Sequence, residues 1–269
     1  MRGLPYFQVD AFTDRLFAGN PAGVCVLPEW LPDALLQAIA AENGLSETAF
    51  LVAGDPALRL RWFTPTVEVD LCGHATLAAA HVLFRHLDHA GPSLSFHTRS
   101  GPLTVTRSGE RLSLDFPARP GVPCPAPADL VAGLGRAPLS VAKARDYLAV
   151  FESERVIREL NPNMEALSRL DCLGVIVTTP GETCDFVSRF FAPGAGVPED
   201  PVTGSAHCTL IPWWAERLGR SRLHARQVSR RGGELFCEHR GKRVGIAGHA
   251  VTYSAGFLQI PAFGRVAAS

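Results

Sequence analysis

Lysine is nearly missing from this chain. Lys143 and Lys242 are the only two, and arginine supplies the rest of the 26 basic residues. Those 26 are balanced by 26 acidic residues, so the formal net charge is zero. A nucleic-acid binder normally carries a basic surplus, and no nucleic-acid partner is expected here. The seven cysteines (Cys25, Cys72, Cys124, Cys172, Cys184, Cys208 and Cys237) are odd in number and contain no Cys-x-x-Cys pair. That argues against a disulfide framework or a tetrathiolate zinc site and for a reducing compartment, so a cytoplasmic location is expected. No run of 18 or more apolar residues occurs, and Met1 to Phe7 lacks the apolar stretch of a signal peptide, so no membrane partner is expected. No Gly-x-Gly-x-x-Gly, Walker or His-Glu-x-x-His motif appears, so nothing supports nucleotide binding or a zinc site of that kind.

What is present is a globular composition, 46% hydrophobic and 19% charged over 269 residues. A chain of this length can bury roughly three quarters of its unfolded surface without a staple. Short strand-like runs dominate: Tyr6 to Phe12, Val24 to Leu27, Thr48 to Ala53, Leu58 to Phe63, Leu94 to Phe96, Leu103 to Thr106 and Leu112 to Phe116. The second half adds Tyr147 to Phe151, Gly174 to Thr178, Phe186 to Phe191, Leu223 to Val228, Glu234 to Glu238, Val244 to Ala247 and Val251 to Leu258. Ala18 to Gly23 reads as a turn from its Gly, Asn and Pro content. Helices are expected over Pro32 to Asn43, Met164 to Leu170 and Ser205 to Leu218, the last kinked or broken at Pro212. Prolines at 117, 120, 123, 125 and 127 mark a linker. Many short strands with few helices predict an α+β fold with mostly antiparallel sheets.

The two halves share a phrase. Arg61-Trp62-Phe63-Thr64-Pro65 precedes Cys72-Gly73-His74-Ala75-Thr76-Leu77, and Arg189-Phe190-Phe191-Ala192-Pro193 precedes Thr203-Gly204-Ser205-Ala206-His207-Cys208. Each is a strand ending in aromatics, a Pro-marked loop, then a glycine opening a helix. The echo reads as a duplication, with two pseudo-equivalent domains. Ala75 to Phe84 is apolar nearly all round, as a helix buried on every side must be. A buried helix N-terminus presents unpaired N–H groups and a partial positive charge, so Gly73-His74 and Gly204-Ser205 are candidate grips for an anion. The plainer alternative is N-capping by Ser205 or by glycine. At the positive end of its helix, His74 is expected to be a neutral imidazole. Carboxylates cluster near both mouths: Asp200 with Glu199 as competitor, Glu47 at a strand start, and Glu68 and Asp70 near His74. Cys72 is either a thiol base or an inert core cysteine. His86 and His89, three apart, read as surface histidines rather than metal ligands, and no metal site is expected.

Four segments in order, Val9-Asp10-Ala11-Phe12 through Gly19-Asn20-Pro21-Ala22-Gly23-Val24, Leu45 to Phe50, Cys72 to Thr76, and Asp200 to His207, resemble the phenazine-biosynthesis isomerase (PhzF-like) family. That family shares a fold with diaminopimelate epimerase and proline racemase. The resemblance implies two domains, each a mostly antiparallel, barrel-like sheet wrapped around a central helix. Their expected extents are 1–118, completed by 258–269, and 119–257. It implies an active site in the cleft between the domains, no cofactor, a small anionic metabolite as ligand, and a homodimer. It implies Glu47 as general acid/base, assisted by His74 and Asp200, with Gly73, Gly204 and Ser205 binding substrate.

The expected activity is therefore a cofactor-independent isomerase moving a proton on a small carboxylate-bearing metabolite. Two alternatives stand beside it. One is an epimerase or racemase using Cys72, although the second half has Thr203 where a paired thiol would stand. The other is a non-catalytic metabolite-binding or interaction protein on the same scaffold.

Overall fold

The structure, a computed structural model, describes residues 2–54 and 58–260. Its chain divides into two units. One runs to Phe17, from Pro21 to Leu112 and again from Ala250; the other comprises Ala18–Asn20 and Ser113–His249. Ala18 and Gly19 join the second unit because Gly19 donates its N–H to the Gly232 carbonyl, while Arg231 donates to the carbonyls of both Ala18 and Gly19.

The first unit contains β1 (Arg2–Ala11), β2 (Asn20–Leu27), α1 (Asp33–Asn43), β3 (Glu47–Ala53), β4 (Leu58–Phe63), β5 (Glu68–Val69), α2 (Gly73–His86), β6 (Ser93–Thr98) and β7 (Gly101–Ser108), with β8 (Arg111–Pro117) leading out. β2 and β3 are nearly continuous buried runs and pair in parallel, with Ala22 opposite Glu47. A parallel pair needs a crossover, and α1 supplies it. β4 pairs antiparallel with β3 and parallel with β6, the second crossover being α2. β6 and β7 then form a hairpin. Of the turn expected over Ala18 to Gly23, the part from Asn20 onward is instead the start of β2. Pairing with β3 overrides the local composition, and a proline is tolerated at a strand's beginning.

The second unit contains β9 (Val122–Pro123), α3 (Ala128–Leu134), β10 (Ser140–Lys143), β11 (Tyr147–Val150), α4 (Glu154–Glu159), α5 (Met164–Ser168), β12 (Val175–Pro180), β13 (Phe186–Phe191), α6 (Gly204–Leu218), β14 (Arg222–Gln227), β15 (Gly233–Arg240) and β16 (Arg243–Gly248). Its order repeats the first unit's: β11 parallel to β12, β12 antiparallel to β13, β13 parallel to β14, β14 antiparallel to β15. The crossover helix corresponding to α2 is α6. β17 (Ala250–Ile260) returns to the first unit and pairs antiparallel with β1 from Arg2–Ile260 to Ala11–Ala250. Of the expected completing segment 258–269, residues 258–260 end β17 and 261–269 lie outside the described residues. No described helix is long and apolar enough to cross a membrane.

Both central helices are buried, α2 at ten of its positions from His74 to Phe84 and α6 at eleven from Gly204 to Ala215. α6 does not break at Pro212. Proline leaves the carbonyl four residues back without its helical donor. Here that carbonyl belongs to Cys208, and it accepts the Arg119 N–H at 2.8 Å instead. The helix therefore runs on to Leu218, where Gly219 caps it in the left-handed region.

Glu47 is aimed by a similar stop. α1 ends on Gly44 at φ 60°, whose N–H bonds the Ala40 carbonyl, and β3 begins three residues later. An added Cβ there meets nothing within 4 Å, so only backbone strain opposes a side chain. Gly44→Ala is expected to cost about 1 kcal/mol in urea unfolding.

Candidate active site

The mouth of α2 gathers three reactive side chains. Cys72 is its N-cap, in extended conformation (φ −140°, ψ 111°), but its side chain does not cap the helix. Its sulfur lies 3.5 Å from His74 Nδ1. The Thr76 hydroxyl donates to the Cys72 carbonyl at 2.5 Å and fixes that residue's backbone. From the start of β3, Glu47 Oε2 lies 3.2 Å from His74 Nε2 in an ion pair with the imidazole. The Asn43 side-chain amide donates to the Thr48 hydroxyl, which ties the end of α1 to β3 beside Glu47. Glu47 Oε2 is buried and, beyond that ion pair, receives no hydrogen bond among the described residues.

Burial works against charging His74, but the adjacent Cys72 sulfur and the Glu47 carboxylate outweigh it, so the imidazole titrates well above its ordinary range. The expectation of a neutral imidazole fails for that reason: a full carboxylate charge at 3.2 Å exceeds the fractional charge of a helix end. The Cys72 thiol is pushed up, first by burial and then by the Glu47 charge, and stays protonated at neutral pH. Glu47, Cys72 and His74 place ligand atoms within 4.8 Å of one another, close enough to raise the question of a metal. However, sulfur and carboxylate face opposite nitrogens of one ring, whereas an ion takes one nitrogen and needs its other ligands at about 2.0–2.3 Å from the same point. The set as built is a line through one imidazole, not a coordination sphere.

The mouth of α6 is built differently. Its N-cap is Thr203, not Ser205, and again the side chain does not cap the helix. The Thr203 hydroxyl donates to Asp200 Oδ2 at 2.5 Å, while Asp200 Oδ1 accepts from Asn20 Nδ2 at 2.8 Å. Gln227 wraps the turn: its Oε1 accepts the Thr203 N–H, and its amide donates to the Asp200 carbonyl and the Thr203 hydroxyl. Ser205 accepts from Arg145 Nη2 at 3.0 Å, and the same nitrogen donates to buried Asp146 at 2.9 Å. Neither N-cap side chain caps its helix, and the capping alternative for Ser205 is overturned. Thr203→Val leaves Asp200 Oδ2 and Gln227 Nε2 each one bond short. Loss of about 1–2 kcal/mol in thermal unfolding is expected.

The competing carboxylates are otherwise engaged. Glu68 takes both Nε and Nη2 of Arg61, each at 2.7 Å, and Glu199 takes the same two nitrogens of Arg189 at 2.7 and 2.9 Å. The arginines that open the two echoed phrases thus make equivalent two-pronged pairs, a structural use that leaves Glu47 and Asp200 at the mouths. Asp70 is exposed. Of the predicted residues, Glu47, Gly73 and His74 meet at α2, and Asp200, Gly204 and Ser205 at α6. Asn20, Arg145, Asp146 and Gln227 were missed as members of the second site. Asn20, Arg145 and Gln227 bond partners 24 to 182 residues away, and Asp146 joins through its neighbour Arg145, so no local pattern announces the set. A cleft of about 470 Å³ opens near the far end of α2, lined by His81, Arg85, His86, Arg107 and Thr252 among others; Glu47, Cys72 and His74 do not line it.

Two like α+β units, each organised on a buried helix with an uncapped mouth, define an epimerase-like class of fold. A hydroxyproline epimerase from Agrobacterium vitis shares it, with a TM-score of 0.61 over 97% of this chain and 94% of that one, at 11% identity. Closer matches narrow the class. The family profile described as phenazine biosynthesis-like protein matches residues 9–256, and the chain belongs to that family. A PhzF-family protein of Enterococcus faecalis has a TM-score of 0.94 at 46% identity, covering 96% of this chain and all of that one. An uncharacterized isomerase of Pseudomonas aeruginosa is 55% identical over 257 residues, 96% of this chain and 99% of its own.

Proposed function

We propose that this protein is an isomerase that moves a proton on a small carboxylate-bearing metabolite, with Glu47 as general acid/base. The carrying observation is the buried Glu47 oxygen set 3.2 Å from His74 Nε2 at a helix mouth with no side-chain cap. A carboxylate held by a single ion pair keeps a lone pair open to a carbon-bound proton. In the reading we favour, Glu47 takes that proton, and the electron pair of the broken C–H bond moves into the adjacent unsaturated acid system. The protonated imidazole and the N-terminal N–H groups of α2 stabilise the negative charge that develops on oxygen. Glu47 then returns the proton at a second carbon. Electrons are neither gained nor lost, so the step itself calls for no redox cofactor.

The N-terminal N–H groups of α6, with the Arg145 guanidinium beside Ser205, suit a carboxylate. Asp200, with both oxygens already accepting bonds, contributes by holding that mouth in shape. The named isomerase among the relatives supports the reaction class. An epimerase using Cys72 is less favoured, because its thiol is held protonated and faces His74.

The test is a panel of small unsaturated and hydroxylated carboxylic acids incubated with the protein in heavy water and followed by proton NMR. Deuterium is expected at carbon together with a displaced double bond. Acids that bind by calorimetry yet exchange no carbon-bound proton would instead establish a binding role.

A further inference from the structure

We propose that Cys72 is a positioning residue of the acid–base centre, its sulfur serving as the acceptor that holds the buried Nδ1–H of His74 while Nε2 faces Glu47. The proposal rests on the reading of Glu47 and His74 as the proton-handling pair, and it assigns the thiol a role other than base.

The geometry is a line. Sulfur stands 3.5 Å from Nδ1 at one end of the ring and the carboxylate 3.2 Å from Nε2 at the other. His74 is 5% exposed, so an imidazolium there must place both of its N–H groups against protein or ligand. Glu47 faces one of them as an ion-pair partner at 3.2 Å, without hydrogen-bond geometry. The other points at Cys72, and the backbone is arranged to keep the sulfur there: the residue is extended, its carbonyl is clamped by Thr76, and its side chain is released from capping the helix. A thiol that stays protonated suits this task. It accepts weakly through sulfur without adding a second negative charge beside Glu47. Among the groups set against His74 in the first unit, β3 contributes Glu47 and the turn before α2 contributes Cys72. α2 also packs on β1, whose buried Asp10 accepts the Phe17 N–H, and on β17, which carries no charged residue.

Removing the sulfur takes away the acceptor 3.5 Å from Nδ1, which disfavours the charged ring. The midpoint of His74 is therefore expected to fall by about one pH unit or more in Cys72→Ala. Cys72→Ser keeps an acceptor on the same atom position and is expected to hold the midpoint within a few tenths of the parent. The measurement is a pH titration of ¹⁵N-histidine-labelled full-length protein by NMR, with the His74 signals assigned through His74→Gln. Cys25→Ala, a buried cysteine of the same unit that does not touch His74, is the control and is expected to leave the midpoint in place. An unchanged midpoint in Cys72→Ala overturns the proposal. So does an equal fall in the Ser and Ala variants, because repacking alone would then account for both. The titration needs no substrate, so its failure is distinguishable from failure of the functional reading: proton exchange that survives loss of Glu47 sinks that reading without moving the His74 midpoint of the Cys72 series.

Discussion

Glu47→Gln is expected to slow proton exchange into the substrate by about 10² to 10⁴, the usual worth of a positioned general base. Glutamine matches the shape of glutamate, so the start of β3, the parallel register with β2 and the neighbouring Asn43–Thr48 bond should all survive. What is lost is the lone pair that takes the proton and the charge that holds His74 protonated. Two readouts should therefore move together: the exchange rate falls, and the His74 midpoint drops. Glu68→Gln is the matched control. It weakens the two-pronged pair with Arg61, which is part-buried, and should lower the melting temperature while leaving exchange near the parental rate. Exchange at the parental rate in Glu47→Gln, with the fold intact, would remove Glu47 from the mechanism.

Most of the strands were legible in the sequence because their periodicity is local. β3, β4, β12 and β13 fall within a residue or two of the apolar runs that announced them. The duplication was legible too: the paired phrases open with Arg61 and Arg189, and the structure shows why the arginine recurs, each clamping a carboxylate seven or ten residues on. What failed was whatever depended on a distant partner. Pro212 reads as a helix break until the Arg119 N–H is seen to take the freed Cys208 carbonyl. Asn20 to Gly23 reads as a turn until β3 pairs with it. α3 and α4 were not expected because seven and six residues give too little periodicity to detect. At the site, residue types at the helix mouths were legible, but their electrostatics were not. His74 at a helix N-terminus argues for a neutral ring on local grounds. Only the approach of Glu47, 27 residues earlier in the chain, reverses the sign. The ring of Arg145, Asp146 and Gln227 around α6 was invisible for the same reason.

Acidification should destabilise the second unit through His207. This histidine sits in α6 with no exposed surface, donates its Nδ1–H to the Thr203 carbonyl at 2.8 Å, and has no hydrogen-bond partner at Nε2 among the described residues. Phe186 packs against its ring at 5.9 Å. A proton on Nε2 would have no acceptor, and burial lowers the midpoint to about 4 from the usual 6.5. The folded chain therefore binds fewer protons than the unfolded chain between those two values. Stability from this residue is fully present above about pH 6.5 and is lost as pH falls toward 4. The loss by pH 4.5 is expected to be about 2–3 kcal/mol, taking about 1.36 kcal/mol for each pH unit that separates the folded and unfolded midpoints. In His207→Leu that portion of the pH dependence should vanish, because neither state then titrates there. Leucine suits the apolar surroundings of Phe186 but gives up the bond to the Thr203 carbonyl, so the variant should lose about 1 kcal/mol at pH 7.5. Urea midpoints at pH 7.5, 6, 5 and 4.5 for parent and variant decide the matter. Parallel curves would show that the acid response belongs to other groups, and a variant curve that flattens between pH 6.5 and 4.5 would assign it to the neutral histidine inside α6.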